Sequence, residues 1–346
     1  MQKKKKLLVI RFSALGDVAM VSPVVHSLLQ CNPHLELVVL SKTLHQPLFK
    51  KERGFTFKAA EVRGKHKGIL GLYRLFLELK NEEFEAVIDL HYSLRSRILG
   101  FFFQLSAYKV HRIDKGRKEK KKLIQLGASR YKPLMHTTER YLKVFEQAGV
   151  LFSTKKLHLP KPGKASANTN KLVDQKKQKW IGIAPFAAHP SKEWKTHKVV
   201  ELAEKMRARD IKILWFGAGQ REKAILEKHF YQNNQDILIA GQFKLEEELI
   251  LMQHLDLMLC MDSANMHMAS ICGTKVVSIW GPTHPFAGFG PLENEEGIVQ
   301  ADLDCRPCTI YGKLKSEKDG RCARESMEKI TVEEVMEKVT LLLKRN

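Results

Sequence analysis

No apolar run in this chain approaches the roughly 18 residues that a membrane-spanning helix requires. The apolar stretch after the lysines at 3–6 covers only residues 7–10, too short for the core of a secretion signal, so a cytoplasmic location is expected. Cysteine is scarce, six in 346 residues, which fits reduced thiols in that compartment rather than a disulfide-built scaffold. Acidic residues are in deficit, 38 against 59 Lys plus Arg, leaving a net charge of +21. That balance suits a polyanionic partner: nucleic acid, an anionic membrane or a small acidic substrate. There is no interleaving of aromatic and basic residues of the ribonucleoprotein type and no helix-turn-helix pattern, so a nucleic-acid-binding protein is the weakest alternative and nucleic acid is not an expected partner. No G-x-G-x-x-G follows the first strand of either half, which counts against the other alternative, a Rossmann-type sugar epimerase or oxidoreductase.

What is present is a rhythm. Short apolar runs at 7–11, 35–40, 55–58, 86–90 and 108–111 alternate with helix-period segments near 16–30, 67–80 and 93–104, and a helix near 138–148 ends at Gly149. Residues 160–178, PKPGKASANTNKLVDQKKQ, have almost no apolar content and read as a linker. The rhythm resumes with strands at 180–184, 211–216, 237–240, 257–260 and 276–280 and helices near 196–208, 220–230, 245–254 and 263–272. The expected fold is therefore α/β, two Rossmann-like doubly wound domains facing a cleft, at 1–159 and 179–330, with a C-terminal helix in 331–346. The positive charge thickens at KKKK (3–6) and at KGRKEKKK (115–122), which reads as a basic face.

The candidate chemistry lies where strands give way to helices. In DSANMH, Asp262, Ser263 and His267 gather at a helix start, whose unpaired N–H groups and positive dipole end favour an anion such as a diphosphate. Gly281-Pro282-Thr283 closes the next strand on the same edge. In the first half, Gly16 permits a sharp turn and Asp17 opens a helix, where a carboxylate serves as an N-cap or as a general base toward a hydroxyl. Lys192 follows a strand of the second half and suits a phosphate as a point charge. Glu222, beyond Gly217-Ala218-Gly219, suits ribose hydroxyls or a first helical turn. Cys305, Cys308 and Cys322 resemble part of a structural zinc site, for which the nearby fourth ligands are Asp302, Asp304 and Asp319; reduced, partly buried thiols are the preferred reading, and no other metal site is expected.

Together these blocks resemble the ADP-heptose–lipopolysaccharide heptosyltransferases, glycosyltransferase family 9. The resemblance rests on Ser13-Ala14-Leu15-Gly16-Asp17, Lys192-Glu193-Trp194, Asp262-Ser263-Ala264-Asn265-Met266-His267 with Gly281-Pro282-Thr283, and the late cysteines with Ile330-Thr331-Val332-Glu333-Glu334-Val335. It implies a B-type glycosyltransferase fold and inverting transfer of a heptose from an ADP-sugar to the lipopolysaccharide inner core. It implies Asp17 as the base, Lys192, Asp262, Ser263, Ala264 and His267 around the diphosphate, Glu222 at the ribose and Phe243 at the adenine. Ala264 stands where the better-known members carry glycine. Ser13, His91, Arg95, Lys115 and Arg117 are the acceptor-side candidates, toward the carboxylates and phosphates of a lipid A-linked core. No tightly bound cofactor is expected, the ADP-sugar being a substrate, and the partners are the donor, the lipopolysaccharide acceptor and, peripherally, the cytoplasmic face of the inner membrane.

Overall fold

The computed structural model describes residues 4–154, 156–160, 166–231 and 235–344. It divides into two compact units, one formed by Met1–Lys115 with Thr137–Lys161 and the other by Gly116–His136 with Pro162–Asn346.

In the first unit, β1 (Lys5–Ile10) leads into α1 (Leu15–Cys31), then β2 (Leu35–Ser41), β3 (Phe55–Ala59), α2 (Gly68–Lys80), β4 (Ala86–Asp89), α3 (Leu94–Leu105) and β5 (Lys109–Arg112). The central strands β1, β2 and β4 are rich in Leu, Val and Ile and largely buried, as expected for a parallel sheet covered on both faces, while the edge strands β3 and β5 are more polar and partly exposed. The order is β3-β2-β1-β4-β5, every pair parallel, so the order of strand addition reverses between β1 and β4. Leu8, Ile10 and Val87 of the sheet pack against Leu72, Phe76, Leu99 and Phe103 of α2 and α3.

Next comes α4 (Arg117–Leu126), which belongs to the second unit, and then α5 (Thr137–Gln147), which returns to the first. The domain boundary expected at 159 is thus refined, because 116–136 is built into the second unit. Leu123 and Leu134 share an apolar cluster with Ala287 and Ile310, and the buried ammonium of Lys120 stands 4.1 Å from the ring centroid of Phe289. The basic run at 115–122 is therefore not one solvated face.

The supposed linker also holds structure. α6 (Ala167–Val173) is capped by Ser166, whose hydroxyl accepts from Thr169 N–H at 3.3 Å and donates to Glu247 at 2.6 Å. Its apolar stripe is too short to show as a helical period; residues 161–165 lie outside the described residues.

The second unit continues with β6 (Lys179–Ala184), α7 (Thr196–Arg207), β7 (Ile211–Trp215), α8 (Gly219–His229), β8 (Ile237–Leu238), α9 (Leu245–Gln253), β9 (Leu257–Met261), α10 (Ala264–Ile271), β10 (Val276–Trp280), β11 (Ile298–Gln300), α11 (Glu317–Lys329) and α12 (Val332–Lys344). Its parallel sheet has the order β11-β10-β9-β6-β7-β8, with the reversal between β6 and β9. Val335, Val339 and Leu342 of α12 join the same apolar cluster as Ile181, Ile213 and Leu259, so the last helix is part of this unit's core.

Candidate active site

In open α/β sheets ligands bind beyond the carboxyl ends of the strands, at the point where strand order reverses. In the second unit that point falls between β6 and β9. Parallel register sets Ala184 beside Cys260, so the turn after β6 and the turn after β9 emerge side by side. Lys192 from the first turn is buried, and its ammonium donates to the Asp262 carbonyl at 2.6 Å and to Asp262 Oδ2 at 3.2 Å. Thr283, after β10, donates its hydroxyl to the same Oδ2 at 2.8 Å. Two of the three ammonium protons are so engaged, leaving one donor.

Beside this clamp α10 begins. Ser263 is its N-cap residue, yet among the described residues no side-chain cap closes the helix and the buried Ser263 hydroxyl has no hydrogen-bond partner. Ala264 is the first helical residue, and His267 is buried one turn on. The result is an uncapped helix start, a buried hydroxyl, an imidazole and an ammonium on one strand edge, a set able to receive an anion.

Further along this edge, Glu222 lies in the first turn of α8, where Oε2 accepts from Ala218 N–H at 2.7 Å and burial pushes the carboxyl above its usual range. The residue is thus a helix cap by its contacts, with Oε1 left over. Phe243 is half-buried in the bend before α9.

The clamp is braced by residues that spacing did not single out. The Arg306 guanidinium is buried and donates to the carbonyls of Trp280, Gly281, Ala301 and Thr283, the last at 2.8 Å, which fixes the turn carrying Thr283. Burial pulls the guanidinium down to about 10. Gly312, with φ +93°, packs so close to Lys192 that an added Cβ would come 2.9 Å from the Lys192 side chain. Contrary to the reduced-thiol and zinc readings, Cys305 and Cys322 are joined as a disulfide with Cα atoms 6.3 Å apart; Cys308 alone of the three is a free, partly buried thiol, its Sγ 3.0 Å from Cys322 Sγ. Sulfurs tied in a disulfide are not thiolate ligands. The reason is local folding: the 305–308 turn and α11 bring the residues together in space, and the bridge anchors the segment from which Arg306 reaches Thr283.

In the first unit the reversal lies between β1 and β4, and register sets Ile10 beside Asp89. Arg11, just past β1, is buried; one terminal nitrogen donates to the Leu90 carbonyl at 2.6 Å and the other meets Asp17 Oδ2 at 2.5 Å. The same oxygen accepts from Ala14 N–H at 3.1 Å, and Tyr141 of α5 donates its hydroxyl to the Asp17 carbonyl at 3.2 Å. Among the described residues Asp17 Oδ1 has no partner. Asp89 Oδ1 accepts from the N–H groups of His91 and Tyr92, shaping the turn after β4. His91 Nε2 then meets the Ser13 hydroxyl at 3.3 Å while Nδ1 meets Ser93 at 3.0 Å. Burial, then the cations Arg11 and Lys115, lower the imidazole to about 3, so His91 is neutral and acts through hydrogen bonds rather than charge.

Arg95 opens α3 as an exposed residue. Burial and the like charges of Arg63 and Arg95 pull the Lys42 ammonium below its usual range, which places Lys42, after β2, and Arg63, after β3, in a cationic group with Arg95. Sequence reasoning passed over Lys42, Arg63 and Arg11; each follows the carboxyl end of a strand, and that position was the available signal. Lys115 closes the first unit, and Arg117 opens α4 of the second.

The chain resembles known proteins throughout its length. It is 25% identical to the lipopolysaccharide core heptosyltransferase OpsX of Haemophilus influenzae, over 90% of this chain and 89% of that protein. Lipooligosaccharide heptosyltransferase 2 of Campylobacter jejuni is 27% identical, with 96% of each chain covered. Among solved structures, a family 9 glycosyl transferase from Veillonella parvula superposes with a TM-score of 0.78 at 20% identity, covering 100% of this chain and 99% of that one. The ADP-heptose lps heptosyltransferase II of E. coli gives 0.70 at 19% identity, covering 98% and 99%. These superpositions give the B-type glycosyltransferase fold, two Rossmann-like α/β units. A family profile matches residues 72–318, and the chain belongs to glycosyltransferase family 9 (heptosyltransferase).

Proposed function

We propose that this glycosyltransferase moves a heptose, or a similar sugar, from an ADP-sugar to the lipopolysaccharide inner core with inversion. The observation that carries the reading is the clamp of Lys192, Asp262 and Thr283 beside the open start of α10, in a chain of this family. In the reaction the acceptor hydroxyl loses its proton to Asp17 Oδ1 as its oxygen bonds to the anomeric carbon, and the bond to ADP breaks with its electron pair leaving on the diphosphate. That diphosphate gains charge in the transition state, where the remaining Lys192 donor, His267, Ser263 and the N–H groups from Ala264 onward stabilise it more than in the ground state. Glu222 and Phe243 attend the ribose and adenine. The donor enters as a substrate and no tightly bound cofactor takes part.

On the acceptor side, Lys42, Arg63 and Arg95 suit carboxylates and phosphates of the core, with Ser13 and His91 as neutral partners. The acceptor is lipid-linked, so we place the protein peripherally on the cytoplasmic face of the inner membrane, in keeping with its +21 charge and the absence, among the described residues, of a helix long and apolar enough to cross a bilayer.

The test is transfer from ADP-heptose to a deacylated core oligosaccharide. Asp17→Asn is expected to lower kcat by about 10²- to 10⁴-fold; near wild-type turnover would remove Asp17 as the base. A thermal-shift screen of ADP, UDP, GDP and NAD should show stabilisation by ADP, and stabilisation by NAD alone would favour the epimerase reading.

A further inference from the structure

α2 and α3 lie side by side on one face of the first sheet, joined by ring contacts of Tyr73 with Phe102 (5.3 Å) and Phe76 with Phe103 (5.0 Å). An amphipathic helix in such a layer turns one apolar stripe to the sheet and a polar one to water. These two do not. α2 buries Leu72, Leu75, Phe76 and Leu79, and on its other side exposes Ile69, Leu70, Tyr73 and Leu77. α3 buries Leu99 and Phe103 and exposes Leu94, Phe101 and Leu105, at the spacing of one helix face. Of thirteen large apolar side chains exposed among the described residues, seven are on these two helices, with Leu70 85% and Leu105 70% exposed. Single exposed apolar residues are ordinary, but a contiguous set marks an interaction surface.

The charges around it have one sign. Residues 62–77 contain Arg63, Lys65, Lys67 and Arg74 and no acid; residues 90–113 contain Arg95, Arg97, Lys109 and Arg112 and no acid. The bordering acid Glu78 is matched by Lys65 at 3.6 Å and His66 at 3.3 Å. Along α3 an open groove of about 440 Å³ is lined by Leu94, Ile98 and Phe101, by Tyr92 and Gln104, and by the guanidinium-bearing Arg97 and Arg112. An apolar stripe bordered by cations is what a surface with anionic headgroups over hydrocarbon complements. Both helices also start at the carboxyl edge of the sheet that carries Asp17 and His91, so a surface held here lies next to the acceptor side of this unit.

We infer that the outer face of α2 and α3 docks on an anionic phospholipid bilayer, with Leu70, Phe101 and Leu105 entering the interface and Arg74 and Arg97 meeting headgroup phosphates. The inference deepens the proposed action on a lipid-linked acceptor and rests on it for its purpose, though the binding test does not.

The experiment is co-sedimentation of the full chain with vesicles of phosphatidylcholine alone and of equal parts phosphatidylcholine and phosphatidylglycerol. The wild type should bind the mixed vesicles and not the neutral ones. Leu70→Glu with Leu105→Glu, both at exposed positions that leave the core intact, should weaken that binding by about tenfold or more, while transfer to deacylated core oligosaccharide stays unchanged. Arg74→Ala with Arg97→Ala should weaken it by about tenfold and flatten its salt dependence. Unchanged binding in the leucine pair overturns the inference, as does binding lost only in Lys118→Glu with Lys121→Glu of α4, or a wild-type dimer that the leucine pair dissociates without any vesicle binding. Failure of the proposed reaction looks different: no transfer to the deacylated core by the wild type, whatever the vesicles show.

Discussion

The two units place the same pair of charges at the same topological point and use them differently. Each sheet reverses strand order beside its first strand, and there a cation meets an aspartate: Arg11 with Asp17 at 2.5 Å in one, Lys192 with Asp262 at 3.2 Å in the other. Asp17 retains 26% side-chain exposure and spends one oxygen on its partners, so the other faces outward. Asp262 retains 12%, and its Oδ2 holds both Lys192 and Thr283. The first carboxylate thus keeps one oxygen clear of protein partners among the described residues, in line with the base we propose, whereas the second holds a lysine and a threonine.

Breaking the two cations tests that contrast most severely. Arg11→Ala and Lys192→Ala should each destabilise the fold by about 3–5 kcal/mol, since each leaves a carboxylate without its ion partner; urea unfolding measures this. Their kinetics should diverge, Arg11→Ala lowering kcat and Lys192→Ala raising the donor KM. If both change the same parameter, the division of labour is wrong. Arg11→Lys keeps the charge but loses the two-point grip on Leu90 and Asp17, and should recover only part of kcat.

The brace of the second unit gives the next effect. Cys322→Ser opens a bridge spanning 17 residues and should cost about 3 kcal/mol by the loop-closure estimate. Thiol titration of the unfolded wild type should find four free thiols before reduction and six after; six before reduction would remove the bridge. Thr283→Val deletes a single hydrogen bond to Asp262, a loss of about 1 kcal/mol that should appear as a few-fold weaker ADP affinity by calorimetry with little change in kcat.

The effect of His91 is read along the pH axis. Its imidazole is held to about 3, below its unfolded value near 6.5, by burial and then by Arg11 and Lys115. Stability from the neutral ring is present above pH 6.5 and is lost as pH falls toward 3, because the unfolded chain takes up a proton that the folded one refuses. His91→Asn should lower stability at neutral pH, where the neutral ring and its contacts to Ser13 and Ser93 contribute, and should shallow the acid limb of a stability–pH curve in that window.

Much of this was legible because it is local. Gly16 and Asp17, Asp262 to His267 and the turn at 281–283 each lie within one strand-to-helix turn, so their shared position follows from a single chain reversal. Glu222 was equally visible, but its engagement with Ala218 N–H was not. The group of Lys42, Arg63 and Arg95 comes from three different turns, separated by tens of residues, and nothing in any one turn marks it. The linker reading failed at α6 because composition registered its polarity and missed the Ser166 cap.

By itself, then, the sequence determined two series of parallel strands with crossover helices, the strand-to-helix turns in which the proposed site residues lie, and an excess of positive charge. Strand order was decided by tertiary structure, and with it the neighbours of each turn: Lys192 beside Asp262, Arg306 beneath Thr283, residues 116–136 built into the second unit, Cys305 joined to Cys322. The physical reason is that parallel register couples residues far apart in the chain. Apolar periodicity says which face of an element is buried, but not which element will bury it.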